Sequence, residues 1–196
     1  RPFDGVTNRI VAPVAERGGV AQLDSLYQAI GLPIEYVPEL IFYIKLQPGL
    51  TLLEKNDLHD ALVLLNSDHK PAHIQAAHQS AIDFLKATKK PVRFEKLAQN
   101  IEQLESDLAL RELLEASNQV VELEGHYGLV QWPEVNPKSI RDKIYFVLKK
   151  TGRPMHFSDI AVQIQQLKSN PKKVTTQAVH NELIKDPRFI LIGRGI

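Results

Sequence analysis

Residues 84–104 read FLKATKKPVRFEKLAQNIEQL, and residues 147–167 read VLKKTGRPMHFSDIAVQIQQL. At a constant offset of 63, without a gap, they share nine of 21 positions: Leu85/Leu148, Lys86/Lys149, Thr88/Thr151, Pro91/Pro154, Phe94/Phe157, Ala98/Ala161, Ile101/Ile164, Gln103/Gln166 and Leu104/Leu167. An ungapped match with the turn proline in register marks an internal repeat. Each copy reads as helix–turn–helix. Ile82, Phe84 and Leu85 end one amphipathic helix, as Ile144, Val147 and Leu148 do in the later copy. Pro91 and Pro154 break it, because proline cannot continue the hydrogen-bond ladder. Phe94 and Phe157 anchor a second helix, with Leu97 and Ile101, or Ile160 and Ile164, on its apolar face. Ser158 is placed to cap the later one.

Working outward, residues 107–117 read as a short third helix of the earlier copy. Residues 120–132 (VVELEGHYGLVQW) alternate around a glycine turn, the signature of a hairpin. In the later copy the third helix falls at 174–185, followed by a strand entering a wing over 188–195. A fainter copy lies at the front, where 20–30 matches 91–101 through Leu26/Leu97, Gln28/Gln99 and Ile30/Ile101. There 8–17 reads as a helix, Gly18-Gly19 as a turn, 38–46 as a third helix, and 50–55 and 61–65 as hairpin strands. Pro13 counts against a long unbroken first helix. The expected fold is mainly α with small β-wings: three tandem winged helix-turn-helix modules at 1–68, 69–134 and 135–196. The first is degenerate and the wing of the third is cut short. Polar, proline-containing linkers fall at 67–71 and 133–137.

A near-neutral total of +1 hides a polarised chain. Residues 1–70 carry −3 and 71–134 carry −4, whereas 135–196 hold 12 Lys/Arg against 4 Asp/Glu, a net of +8. Basic surface gathers phosphate by releasing counterions, and acidic surface is repelled by it. Apolar content of 43% with 24% charged residues is ordinary globular composition. No apolar run approaches the roughly 18–20 residues that span a bilayer, and no leader pattern is present. Zero cysteines exclude disulfides, zinc fingers and thiol catalysis, and fit a cytoplasmic setting. Beginning at Arg1 and ending on Gly-Arg-Gly-Ile, the chain reads as a fragment of a longer protein.

The stretches VLKKTGRPMHFSDIAVQI and TTQAVHNELIKDPRFILIGRG resemble the HARE-HTH winged helix, shared by chromatin-associated proteins and some restriction endonucleases. KKPVRFEKLAQNI with VVELEGHYGLVQW resembles the N-terminal domain of the bacterial RNA polymerase delta subunit, of the same superfamily. The first resemblance covers about 59 residues and the second is looser; residues 1–68 match no family. The resemblance implies a bacterial, cytoplasmic, nucleoid-associated transcription protein, and a place in the C-terminal part of a sigma-factor-like chain. It implies double-stranded DNA and RNA polymerase as partners, with no cofactor, no small-molecule substrate and no membrane. The delta subunit's acidic tail has no counterpart here.

In a winged helix the third helix enters the major groove and the wing touches phosphate. Over 174–185 the core side is Val174, Ala178, Val179 and Leu183. Thr175, Thr176, Gln177, His180 and Asn181 are left to meet base edges, amides pairing with adenine. Lys168, Lys172 and Lys173 precede the helix and Arg188 and Arg194 flank the wing, all placed for phosphates. The competing reading is a solvated helix on a protein-docking module. Residues 107–117, with Asp107, Glu112 and Glu115, are expected to meet protein: polymerase or a neighbouring module. His69, His73 and His78 lack the spacing of a metal site. No nucleophile elbow, phosphate-cradling glycine loop or zincin motif is present, so an enzyme is not expected.

Overall fold

The computed structural model describes residues 4–104, 106–167, 173–193 and 195–196. The chain divides into two compact units, Arg1–Val130 and Gln131–Ile196. Mainly helical, it carries, among the described residues, two small antiparallel sheets, both in the first unit.

Helix α1 (Asp4–Glu16) runs through Pro13, where a break was expected. Proline removes one hydrogen bond and crowds the preceding turn. Pro13 stands in the last turn, however, and Ile10 and Val14 hold the helix to the core. Gly18 and Gly19, at φ 77° and 84°, then turn the chain into β1 (Val20–Gln22). Helix α2 (Leu23–Ala29), a 3-10 turn (Ile34–Tyr36) and α3 (Val37–Leu46) follow, and β2 (Leu50–Leu53) and β3 (Leu62–Leu65) form a hairpin. Strand β3 lies between β1 and β2, antiparallel to both.

The same order recurs in α4 (Pro71–Thr88), β4 (Val92–Arg93), α5 (Phe94–Ala98), α6 (Asp107–Ala116), β5 (Val120–Leu123) and β6 (His126–Leu129). Again the last strand is central, in the order β4-β6-β5. Glu124 and Gly125 both have positive φ, as a two-residue turn matching strand twist requires. The stretch 67–71 is built into this unit. His69 is buried and its Nε2–H donates to Gly18 O at 2.7 Å, while Pro71 starts α4.

The second unit contains α7 (Ile140–Thr151), α8 (Phe157–Gln165) and α9 (Thr176–Lys185) around Ile144, Val147, Ile160, Ile164 and Val179. The last turn of α7 repeats that of α4 bond for bond. Thr88 and Thr151 hydroxyls donate to Phe84 O and Val147 O, each at 2.8 Å. Lys89 and Gly152 are left-handed caps whose N–H groups reach Leu85 O and Leu148 O, each at 2.9 Å. Lysine in that conformation costs about 1–2 kcal/mol that glycine does not.

Two expectations fail in this unit. Helix α8 is capped by His156, whose Nδ1 accepts from the Ser158 N–H and hydroxyl; Ser158 lies inside the first turn. No strand forms over the described part of 188–195. In the first unit β1 and β4 each pair with the second strand of a hairpin. Met155 and His156, at the positions of β4, meet no such strand among the described residues; instead Phe157 N–H donates to Gly195 O at 3.0 Å. Strand geometry needs that ladder partner. No helix among the described residues is long and apolar enough to cross a membrane.

Candidate nucleic-acid interface

Helix α9 is defined at its start by Thr175, whose hydroxyl accepts from Ala178 N–H at 3.2 Å and satisfies an orphan donor of the first turn. Val179 is buried, and Val174 and Leu183 pack on the same core. That fixes the opposite face: Thr176, Gln177 and Asn181 are exposed, and exposed Lys173 stands just ahead of the N-terminus. The helix dipole is positive at this end, so backbone and lysine together favour an anion there. Glu182, the acidic residue of α9, is held by Arg141 of α7 at 2.6 Å, which neutralises it.

Gln177 Nε2 donates to Asn181 Oδ1 at 2.9 Å, which pre-orients both amides on one face. Bidentate pairing with adenine uses both atoms of one amide, so this bond must open for either side chain to read a base. His180 is half-buried and turned away, its ring 5.0 Å from that of Phe157. Arg188 is exposed, but its guanidinium forks onto Asp186, with Nη2 2.6 Å from Oδ2. Those hydrogen bonds hold the Asp186 carboxyl down at about 2, so the pair stays ionised and presents little net charge. Lys143 is buried on α7, and burial pulls its ammonium below the usual lysine range. Lys168, Lys172 and Arg194 lie outside the described residues. The structure therefore gathers Lys173, Thr175, Thr176, Gln177 and Asn181 on one surface and assigns His180 and Arg188 other contacts.

The corresponding helix of the preceding repeat, α6, is used inside its own unit. It packs against β1: Glu112 accepts from Gln22 N–H at 3.0 Å and pairs with Arg17 at 3.2 Å, and Gln22 Nε2 reaches Glu115 at 3.4 Å. Burial nevertheless raises the Glu112 carboxyl, against the pull of those donors. Arg111 stacks over the Phe94 ring at 3.6 Å.

His69 and His73 line one pocket with Gly18 and Asp68, and His78 is not part of that lining. His78 is buried and shares a 2.7 Å hydrogen bond with Ser117, whose Oγ also accepts from the Gln119 and Val120 N–H groups. His59, also buried, packs edge-on to His78 and donates from Nδ1 to Asp60 O while accepting from Asn56. Burial, and then the nearby His59, push His78 down to about 4. Asp60 N–H donates to Ala116 O and Asn118 N–H to Leu58 O, so this patch staples the β2–β3 loop to the end of α6. Among the described residues no group of three His, Asp or Glu side chains is arranged to hold a metal ion.

Two apolar surfaces escaped the sequence reading. In the second unit a groove of about 620 Å³ is lined by Met155, Phe157, Ile184 and the exposed Ile190, Leu191 and Ile192. In the first, α3 exposes Phe42 and Leu46. The signal for α3 was its composition: VPELIFYIKL is apolar on every side, more than one core-facing stripe needs.

No family model matches the chain, and no curated protein matches it.

Proposed function

We propose that the chain is a tandem of three winged-helix modules acting in bacterial transcription, with α9 of the basic third module reading duplex DNA and the acidic first two modules facing protein. The observation that carries this is the exposed set Lys173, Thr176, Gln177 and Asn181 at the positive end of α9, in a segment of net charge +8. Hydroxyls and amides at that end suit base edges, and the lysine suits the flanking phosphate. Support for the modular reading is the recurrence of helix, strand, two helices and hairpin, with the last strand central, in both halves of the first unit. Cytoplasmic, nucleoid-associated placement and the absence of enzyme activity belong to the same proposal.

Fluorescence anisotropy of a labelled mixed-sequence duplex tests it across a salt series. Affinity is expected to fall as salt rises, and a Lys173→Glu/Gln177→Ala/Asn181→Ala variant to bind at least about tenfold more weakly. No binding at low salt overturns it. The second reading, an adaptor on RNA polymerase without DNA contact, is favoured by the exposed apolar side chains of α3, with Glu35 and Glu39 beside them. It predicts capture of a polymerase subunit with DNA absent.

A further inference from the structure

We propose that the outer face of α3 is a docking site for a basic amphipathic helix of a protein partner. This rests on the reading of the acidic modules as protein-facing and not on DNA binding by the second unit. Buried Leu40 and Ile44 fix which side of α3 faces inward. Glu39, Phe42 and Leu46 then share the outward side at three- and four-residue spacing. Phe42 is 66% exposed and Leu46 60%, and Ile34 in the preceding turn is 70% exposed. A stripe of large apolar side chains left in water is uncommon on a surface with nothing to bind.

Beside the stripe, between α1 and α3, lies a cleft of about 320 Å³ with Ile10, Leu32, Tyr36 and Tyr43 in its wall. Arg9 and Glu39, one cation and one anion, are also among its lining, and the Arg9 guanidinium donates to Ile30 O at 3.4 Å. The cleft is large enough for one leucyl or aromatic side chain. An apolar stripe next to a socket is the surface that receives a helix with anchors at i, i+3 or i+4, and i+7. Charge decides the partner's other face. Lys45, the basic residue of α3, is held by Glu54 at 2.6 Å. Exposed Glu35 and Glu39 flank the stripe with no ion pair among the described residues. Residues 1–70 are net negative, which disfavours phosphate and anionic lipid and favours lysine and arginine.

The test titrates the whole 196-residue chain into a fluorescein-labelled Lys/Leu peptide of amphipathic order, about 15 residues long so that it can form a helix. A Glu/Leu peptide of the same order and a scrambled Lys/Leu peptide serve as controls. The Lys/Leu peptide is expected to bind saturably and shift amide resonances of α3. Phe42→Ala/Leu46→Ala, and separately Glu35→Lys/Glu39→Lys, are expected to weaken it about tenfold or more. Because these side chains are exposed, both variants keep the thermal midpoint of the wild type. Equal binding by either variant, equal binding of the Glu/Leu peptide, or shifts confined to another surface overturns the proposal. So does sedimentation showing a dimer that Phe42→Ala/Leu46→Ala dissolves, since a second copy then occupies the face. Loss of duplex binding in the anisotropy experiment leaves this result untouched.

Discussion

Helices α6 and α9 hold the same place in successive repeats and meet opposite fates. On α6, Glu112 and Glu115 lie against Gln22 and Arg17, so part of the surface a third helix would offer a ligand is spent on contacts within its own unit. On α9 the carboxylate at 182 is cancelled by Arg141, and Thr176, Gln177 and Asn181 present hydroxyl and amide groups to solvent, with Ile184 and Lys185 exposed in the last turn. One repeat thus supplies two kinds of helix. Side-chain charge decides which is free to bind and which serves as glue.

The largest effect that can break this contrast is at Gly18. It sits at φ 77°, and a β-carbon there would overlap Ser106 Oγ, the N-cap of α6, and approach Ala109 N to 3.0 Å. Gly18→Ala is expected to cost more than ~3 kcal/mol in chemical denaturation and to leave the second unit's transition unchanged. A loss below ~1 kcal/mol would mean that α6 is not seated on this turn.

Next in size is the pH dependence of the staple behind α6. Folded His78 sits at about 4, below the 6.5 of a free histidine. Between those values the unfolded chain binds the extra proton, so its stability contribution is complete above about pH 6.5. It fades as pH falls and is gone near pH 4, roughly 3 kcal/mol in all. His78→Gln, which keeps a hydrogen bond to Ser117, is expected to flatten that slope. Urea midpoints across the pH range read it directly.

Glu112 sharpens the comparison further. Glu112→Ala strands the Gln22 N–H and is expected to cost about 2 kcal/mol. Glu112→Gln keeps an acceptor and loses a carboxylate that burial already disfavours, so it is expected to cost under ~1 kcal/mol. The partner experiment on α9, Glu182→Ala, removes a partly exposed ion pair and costs at most about 1 kcal/mol. Thr175→Ala is expected to cost about 1 kcal/mol from the lost cap, no less than Glu182→Ala, read as a lower melting temperature of the second unit.

Much of this was legible in the residues. The repeat fixed the helix pairs and even the equivalence of the Thr88 and Thr151 hydroxyls, because local hydrogen bonds follow local sequence. Strands β1 and β4 were not legible: three and two residues long, they exist only through partners more than 30 residues away. The polar face of α9 followed from Val179 and its neighbours, whereas the aim of His180 depends on Phe157, in another helix. The Arg188–Asp186 fork could have been read from Asp186-Pro187-Arg188, where the proline fixes a turn that brings the two charges together.

The most direct measurement of the central claim is amide chemical-shift mapping of the chain with a short duplex at low salt. Shifts are expected at Lys173, Thr176, Gln177 and Asn181 that vanish as salt is raised, with Leu108, Arg111 and Glu115 of α6 unmoved. Shifts centred on α6 with α9 silent would contradict that claim.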